Sequence, residues 1–292
     1  MSAVAAEVVP IVQRRSGRAA SLLRRRMPLV LGIGIIGILV LIAIFSPLLT
    51  PYTYHSMTYT AILAPPDHSH IFGTDGLGRD IYTRVIYSYR VSLVVAFASI
   101  VLALLLGIPI GMIAGYVGGA VDTVISRIID IMLAFPAILL AISLIAILGQ
   151  GETVIIIAIG IIYTPILTRV LRASVLDVKN SAYVEGARAR GAGQLRIMVR
   201  HVLPNSIGPT LVQGALLGSF AIQVEAALSF LGLGVQPPTP SLGYMLQENR
   251  QYITQSPWGT LFPGIAIAVA VLAFNLLGAG LRNLLDPRGR ER

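Results

Sequence analysis

The sequence predicts an all-α polytopic membrane protein with six transmembrane helices. Three observations predict it: a composition suited to lipid, long uncharged stretches that recur along the chain, and basic residues gathered in alternate connections. Of the 292 residues 55% are hydrophobic and only 12% charged, and the mean hydropathy is +0.80, far from the balance of a soluble domain. A helix needs about 20 apolar residues to cross a hydrocarbon layer of roughly 30 Å. Residues 29–49, 91–121, 131–151, 202–224 and 251–281 each provide such a stretch. A sixth, 153–168, is shorter, and Arg169 and Arg172 beyond it can snorkel to the interface so that the apolar part reaches across.

The placement of charge also decides between two partners for a chain of net charge +9, nucleic acid and anionic lipid. With the N-terminus in the cytoplasm, the arginines from Arg14 to Arg26, Arg127, the basic cluster from Arg169 to Arg200 and the arginines from Arg282 to Arg292 all fall inside. Only Arg79, Arg84, Arg90 and Arg250 fall outside. That asymmetry is the positive-inside pattern. Both termini are therefore expected in the cytoplasm, the juxtamembrane arginines are expected to meet anionic headgroups, and no nucleic-acid role is expected.

The basic lead and apolar run at the N-terminus imitate a signal peptide. The uncharged run from Leu29 is longer than an h-region, however, and no small-residue cleavage site follows closely, so an uncleaved first span is expected. The chain has no cysteine, which removes disulfides, thiolate chemistry and cysteine metal sites. Lys179, the one lysine, stands between Val178 and Asn180, so no Gly-Lys-Ser/Thr phosphate loop can be drawn and ATP hydrolysis by that route is excluded.

The order of the elements follows from these boundaries. Residues 1–28 form an Arg-rich cytoplasmic tail, 29–50 the first span, 51–90 an extracytoplasmic loop, 91–282 a five-span core and 283–292 a cytoplasmic tail. Pro47 and Pro51 are expected to break the first helix, and Pro65, Pro66, Gly73, Gly76 and Gly78 mark turns in the loop. Gly107, Pro109, Gly111 and Gly115 punctuate the second span, where small residues let helices approach closely. Asp122, Arg127 and Asp130 open the third, with charge pairing at helical spacing expected among them.

The polar stretch 181–204 reads as two short cytoplasmic helices. Asn180 or Ser181 can cap the first, Glu185 suits its N-terminal dipole, and Gly191 with Gly193 ends it. The second is expected to carry an apolar stripe of Leu195, Met198, Val199 and Val202 opposite Arg196 and Arg200, and Pro204 to start a new element. Such a basic amphipathic helix can lie on headgroups, join two spans or dock a partner.

In this stretch Glu185, Gly186 and Ala187, followed after three residues by Gly191 and after nine more by His201-Val202-Leu203-Pro204, resemble the cytoplasmic EAA loop of ABC importer permeases. Gly186 and His201 depart from the general pattern, although His at the latter position is usual in the peptide-transport branch. In the external loop Phe72-Gly73-Thr74-Asp75-Gly76-Leu77-Gly78-Arg79-Asp80 is similar to the FGTDxLGRD signature of the C-type subunit of dipeptide and oligopeptide permeases. The run from Glu225 to Gly234, and Pro257-Trp258 through Phe262-Pro263-Gly264 to Asp286-Pro287-Arg288, resemble that subunit as well. Ala279 and Asn283 stand where the family often has acidic residues.

The resemblance implies a type I ABC importer permease fold with an extra N-terminal span and an external loop, in a bacterial or archaeal cell membrane. The implied partners are a homologous B-type permease, two ATP-binding subunits or a fused ATPase pair, an extracytoplasmic peptide-binding protein, a peptide substrate and membrane lipid. No cofactor is implied in this chain and no catalysis; ATP and Mg belong to the partner subunits. By the same resemblance the coupling helices lie within 181–204, and Tyr183, Glu185, Gly186, Ala187, Arg190, Gly191, Leu203 and Pro204 form the ATPase-coupling site. The extracytoplasmic motif comprises Gly73, Thr74, Asp75, Gly78, Arg79 and Asp80, whose polar members are expected to fix turns while part of the loop meets the binding protein or closes the pore.

Glu225 sits late in a span, where a carboxylate facing lipid is costly, so it faces protein or water. Two roles stay open: a translocation path shared with Gln223 and Phe230, or a structural hydrogen bond. Asp67, His68, His70, Asp75 and Asp80 lack a defined ligand spacing, and no metal is expected. Competing readings are an importer of nickel chelates or other small solutes in the same family, and an ion-coupled secondary transporter. The latter would want mid-membrane ionisable groups and inverted repeats. An intramembrane enzyme would want a Ser/His or carboxylate pair at one depth, which is not evident.

Overall fold

The computed structural model describes residues 17–285. The arginine cluster before Arg26 as a set of side chains, and Asp286-Pro287-Arg288, lie outside the described residues. The regular structure in this range is helical; the single β-type pairing among the described residues is the isolated bridge between Thr74 and Asp80. Backbone groups in hydrocarbon must be satisfied within the chain, and helices do this locally.

Helix α1 (Gly17–Ile44) is the first span and is followed by one short turn of helix, α2 (Ser46–Leu49), with Pro47 in its first turn. The irregular segment that follows ends at Asp80. Its carboxylate accepts from the Thr83 amide and hydroxyl, both at 2.7 Å, and so caps α3 (Ile81–Val117). The helix therefore begins ahead of the uncharged run at Val91, and the residues up to Arg90 are helical rather than loop. At its other end Lys179 Nζ donates to the Gly115 carbonyl at 2.7 Å.

The third crossing differs from the straight span expected over 131–151. Helices α4 (Gly119–Ala134) and α5 (Ala137–Leu148) form a pair bent by 93° at Phe135-Pro136. Proline has no amide hydrogen and drives the residue before it out of the helical region, and Phe135 is extended at φ −85°, ψ 136°. Five continuous helices among the described residues are long and apolar enough to cross a membrane, and the bent pair brings the number to six when counted as one span. Helix α6 (Glu152–Val178) is longer than its apolar run, so Arg169 and Arg172 lie inside it. They do not snorkel alone: Arg169 reaches Asp130 at 2.7 Å, and Arg172 grips both oxygens of Asp122 at 2.5 and 2.6 Å. The acidic pair of α4 is thus matched across to α6, rather than to Arg127 within its own helix.

After α7 (Ala182–Ala189), α8 (Gln194–Phe230) runs on as one helix, so the two short helices expected over 181–204 are one short helix and the start of a span. Pro204 sits inside α8. A wider π turn at Met198–Val202, closed by the Leu203 amide on the Met198 carbonyl, precedes it. That extra residue rotates the helical phase. Ile197 and Val202 are buried, while Leu195 and Val199 of the expected stripe are exposed. Helices α9 (Leu242–Asn249) and α10 (Trp258–Leu285) complete the chain.

The packing centres on α3 and α6, with α8 against both and against α10, and α1 laid along α10 and α3. Lipid tails are as apolar as leucine, so helix association here depends on close packing rather than on escape from water. Gly107, Gly111 and Gly115 line the α3 face that meets Thr164, Thr168 and Arg172 of α6, and a Cβ at position 111 would come within 2.7 Å of the Thr168 carbonyl oxygen. Gly111→Val should therefore destabilise the fold by about 1–3 kcal/mol through overpacking. Gly37→Ala, where nothing lies within 4 Å, should be neutral. Thermal unfolding in detergent checks the pair, and equal midpoints for both variants would rule out this contact as the organising one.

Candidate functional site

The motif over residues 72–80 folds into a charge clamp. Asp75 Oδ1 accepts from the amides of Leu77 and Arg79, at 2.9 and 3.0 Å, which fixes the turn in which Gly78 takes φ +72°. A side chain at Gly78 would collide with the Thr58 carbonyl, so the turn needs glycine twice over. Gly73, at φ +75°, precedes Thr74, whose hydroxyl accepts from the Ala64 amide at 2.9 Å and donates to the Ala61 carbonyl. Asp80 accepts from α3 as its cap and contacts His70 Nδ1 at 2.9 Å.

Asp75 Oδ2 accepts from Arg79 Nε at 2.7 Å and from Arg84 Nη1 at 2.5 Å. Both guanidiniums also reach one oxygen of Glu248 on α9, at 2.9 and 2.8 Å. Burial alone would lower the pKa of Arg79, but the Asp75 and Glu248 carboxylates outweigh it and hold the group above its ordinary value. Arg84 is 2% exposed and its Nε has no hydrogen-bond partner, so among the described residues Asp75 and Glu248 take all of its side-chain hydrogen bonds. Phe72 stacks on Phe262 of α10 at 3.9 Å, and the Tyr252 ring lies where a side chain at Gly76 would be. The loop is thereby bound to α3, α9 and α10 at once. Among the described residues no group of three or more His, Cys, Asp and Glu side chains could hold a metal ion.

Glu225, 0% exposed, accepts from Ser229 at 2.8 Å on its own helix and from Ser92 of α3 at 3.1 Å. Gln223 and Phe230 are exposed, so the three candidates for a path do not share a face. Gln223 donates to the Ser219 carbonyl at 3.1 Å.

On the opposite side α7 is seated by Val184 and Ala187, buried with Met112, Leu171, Val175, Ile197 and Val202. Ala187 is thus an anchor turned inward, whereas Tyr183, Glu185 and Arg190 face out and Gly186 is half-buried. Ser181 occupies the N-cap position, but its hydroxyl donates back to the Val178 carbonyl at 2.6 Å, so its backbone carbonyl alone takes the first amides. Gly191 has φ +80° with nothing within 4 Å of its Cβ position; the turn demands glycine, not a close neighbour in this chain. Leu203 is half-buried at the π turn and Pro204 is exposed.

Residues 107–291 match the family described as the binding-protein-dependent transport system inner membrane component, and residues 17–66 match the N-terminal TM domain of oligopeptide transport permease C. The chain belongs to this permease family. The permease is 46% identical to the dipeptide transport system permease protein DppC of Alkalihalophilus pseudofirmus, over 91% of this chain and 88% of that one. It is 43% identical to the di/tripeptide transport system permease protein DppC of Pseudomonas aeruginosa, over 86% and 85% of the two chains. It is also 37% identical to the glutathione transport system permease protein GsiD of Pectobacterium atrosepticum, over 96% and 95%. Inward-facing structures of the MetNI methionine ABC transporter share the fold, with a TM-score of 0.55 at 18% identity, over 67% of this chain and 93% of that one.

Sequence reasoning on the permease missed Arg84 and Glu248. Arg84 carried a signal, a charge opening an apolar stretch, but Glu248 lies 164 positions away and only the fold brings them together. Removing one partner of a buried pair strands the other charge, a loss of about 3–5 kcal/mol. Arg84→Met is expected to lower stability by that order and to open the 51–80 loop to protease, whereas Glu248→Gln, at a 20% exposed carboxylate, is expected to do less. Limited proteolysis with thermal unfolding of both variants tests this, and an unchanged Arg84→Met protein would refute the clamp.

Proposed function

We propose that this chain is one of the two pore-forming permease subunits of an ATP-driven importer for di- and oligopeptides. It works without catalysis of its own, beside a homologous B-type permease, and takes its peptide from an extracytoplasmic binding protein. ATP and Mg are bound in two partner ATPases or a fused pair, and both termini of this chain lie in the cytoplasm with them. The observation that carries the reading is α7: a short helix anchored by Val184 and Ala187 in the chain's own core, with Tyr183, Glu185 and Arg190 left facing outward beside the turn at Gly191. Exposed Leu195 and Val199, turned out by the π turn, extend that face.

A rigid seat makes α7 a lever. Motion of a docked ATPase would pass through α7 into α6 and α8, and ATP must favour one of two packed states for this to drive transport. The curated relatives' names support peptide as the cargo; nickel chelates or other small solutes are the alternative within the family.

Reconstitution of the chain with its partner permease, ATPases and binding protein into vesicles tests the reading. Peptide uptake that requires ATP supports it, and uptake by the chain alone on an ion gradient would replace it with secondary transport. Glu185→Lys is expected to leave ATP hydrolysis running while uptake falls. Gly191→Val is expected to do likewise, because a β-branched residue at φ +80° costs about 1–2 kcal/mol, while Gly191→Asn, tolerant of that region, should retain most uptake. Equal failure of both Gly191 variants would instead show that a partner backbone approaches this glycine.

A further inference from the structure

Two of the external arginines, Arg79 and Arg84, are neutralised by Asp75 and Glu248. Arg90 is not: it makes no ion pair or hydrogen bond among the described residues, and Glu152 at the start of α6 is the acidic group its field reaches. Arg90 is exposed and stands one residue before the uncharged run of α3 begins, at the depth where hydrocarbon gives way to headgroups. Beside it lies a groove of about 400 Å³ between α1 and α3. Arg90, Leu93, Val94 and Phe97 recur at helical spacing along one wall, and Val40, Ala43 and Ile44 form the other.

We propose that this groove is a phospholipid site, with the lipid phosphate on Arg90 and one acyl chain along the channel between α1 and α3. Charge complementarity commits the occupant. Val94, Phe97 and Ile44 remain exposed along the groove, as a chain-lined slot in lipid requires, while the single cation is at the end nearest the external loop. An arginine fork pairs with two phosphate oxygens, and its guanidinium is weakly hydrated, so it gives up water for phosphate readily. An apolar protein helix laid in the same groove would leave Arg90 without an anion. Net anionic lipid is favoured over zwitterionic, because no acidic side chain among the described residues makes an ion pair with Arg90 and Glu152 acts on it only at a distance. The side of the membrane follows the orientation proposed above; the pairing of phosphate with Arg90 does not depend on it.

Native mass spectrometry of the full permease complex, released from micelles containing phosphatidylglycerol, reads the bound lipid directly. The wild type is expected to retain phosphatidylglycerol in preference to phosphatidylcholine. Arg90→Gln should weaken that retention about tenfold or more, the loss of one charge-assisted contact. Val94→Trp, which fills the groove from an exposed position and leaves Arg90 intact, should abolish it. Equal phosphatidylglycerol retention by wild type and both variants would overturn the proposal. So would efficient cross-linking of a Val94→Cys protein to a neighbouring subunit in native membranes, which would show protein in place of lipid. Neither readout depends on transport, so failure here is distinct from failure of the peptide-importer assignment.

Discussion

Helices α3 and α6 approach so closely that Gly111 faces the Thr168 backbone with no room for a Cβ, and the rest of the fold is arranged on that contact. In lipid there is no water to drive helices together, so backbone proximity and dispersion must hold the pair. Both candidate functional regions are attached to it. The upper end of α3 carries the Asp80 cap and Arg84, and through them the external clamp. At the other end Lys179 ties α6 to the α3 terminus, and Leu171 and Val175 of α6 form the seat of α7. The α7 helix is therefore seated on a pair of helices whose far end carries the charge clamp.

Charge is handled in two ways in this chain. Where it is buried, it is matched: Arg84 with Asp75 and Glu248, and the Glu225 carboxyl with two serine hydroxyls; the half-buried Arg172 is matched with Asp122. Where it is exposed on α7, on Glu185, Arg188 and Arg190, it is left open around a helix whose apolar side is already satisfied. The first arrangement gives local rigidity to the external loop, which is otherwise mostly irregular chain. The second leaves charged groups on a fixed support, the arrangement on which the proposed docking of an ATPase rests.

The breaks in regular structure are few and each has a chemical origin. Pro136 bends the third crossing, Gly191 turns the chain out of α7, and the π turn before Pro204 lets α8 continue where a proline would otherwise interrupt its hydrogen bonding. The last of these also reverses which apolar residues are hidden. Leu195 and Val199 fit a buried stripe by simple periodicity, yet one additional residue in the turn exposes them and buries Ile197.

Composition, uncharged run length and arginine placement were enough to determine helices and the membrane as solvent, because those depend on local hydrogen bonding and on transfer into lipid. Local chemistry likewise made the turn at Gly78 legible, whereas the capping of α3 by Asp80 was not, because the uncharged run begins only at Val91 and the helix starts ten residues ahead of it. The partners of Arg84, the cross-helix pairing of Arg169 and Arg172, the inward turn of Ala187 and the bend at Phe135-Pro136 were decided only by tertiary structure. Each depends on which helix lies alongside, or on the phase at which a helix enters the bundle. A pairing across 164 positions leaves no periodic trace in the sequence; it exists only once α9 is folded against the start of α3.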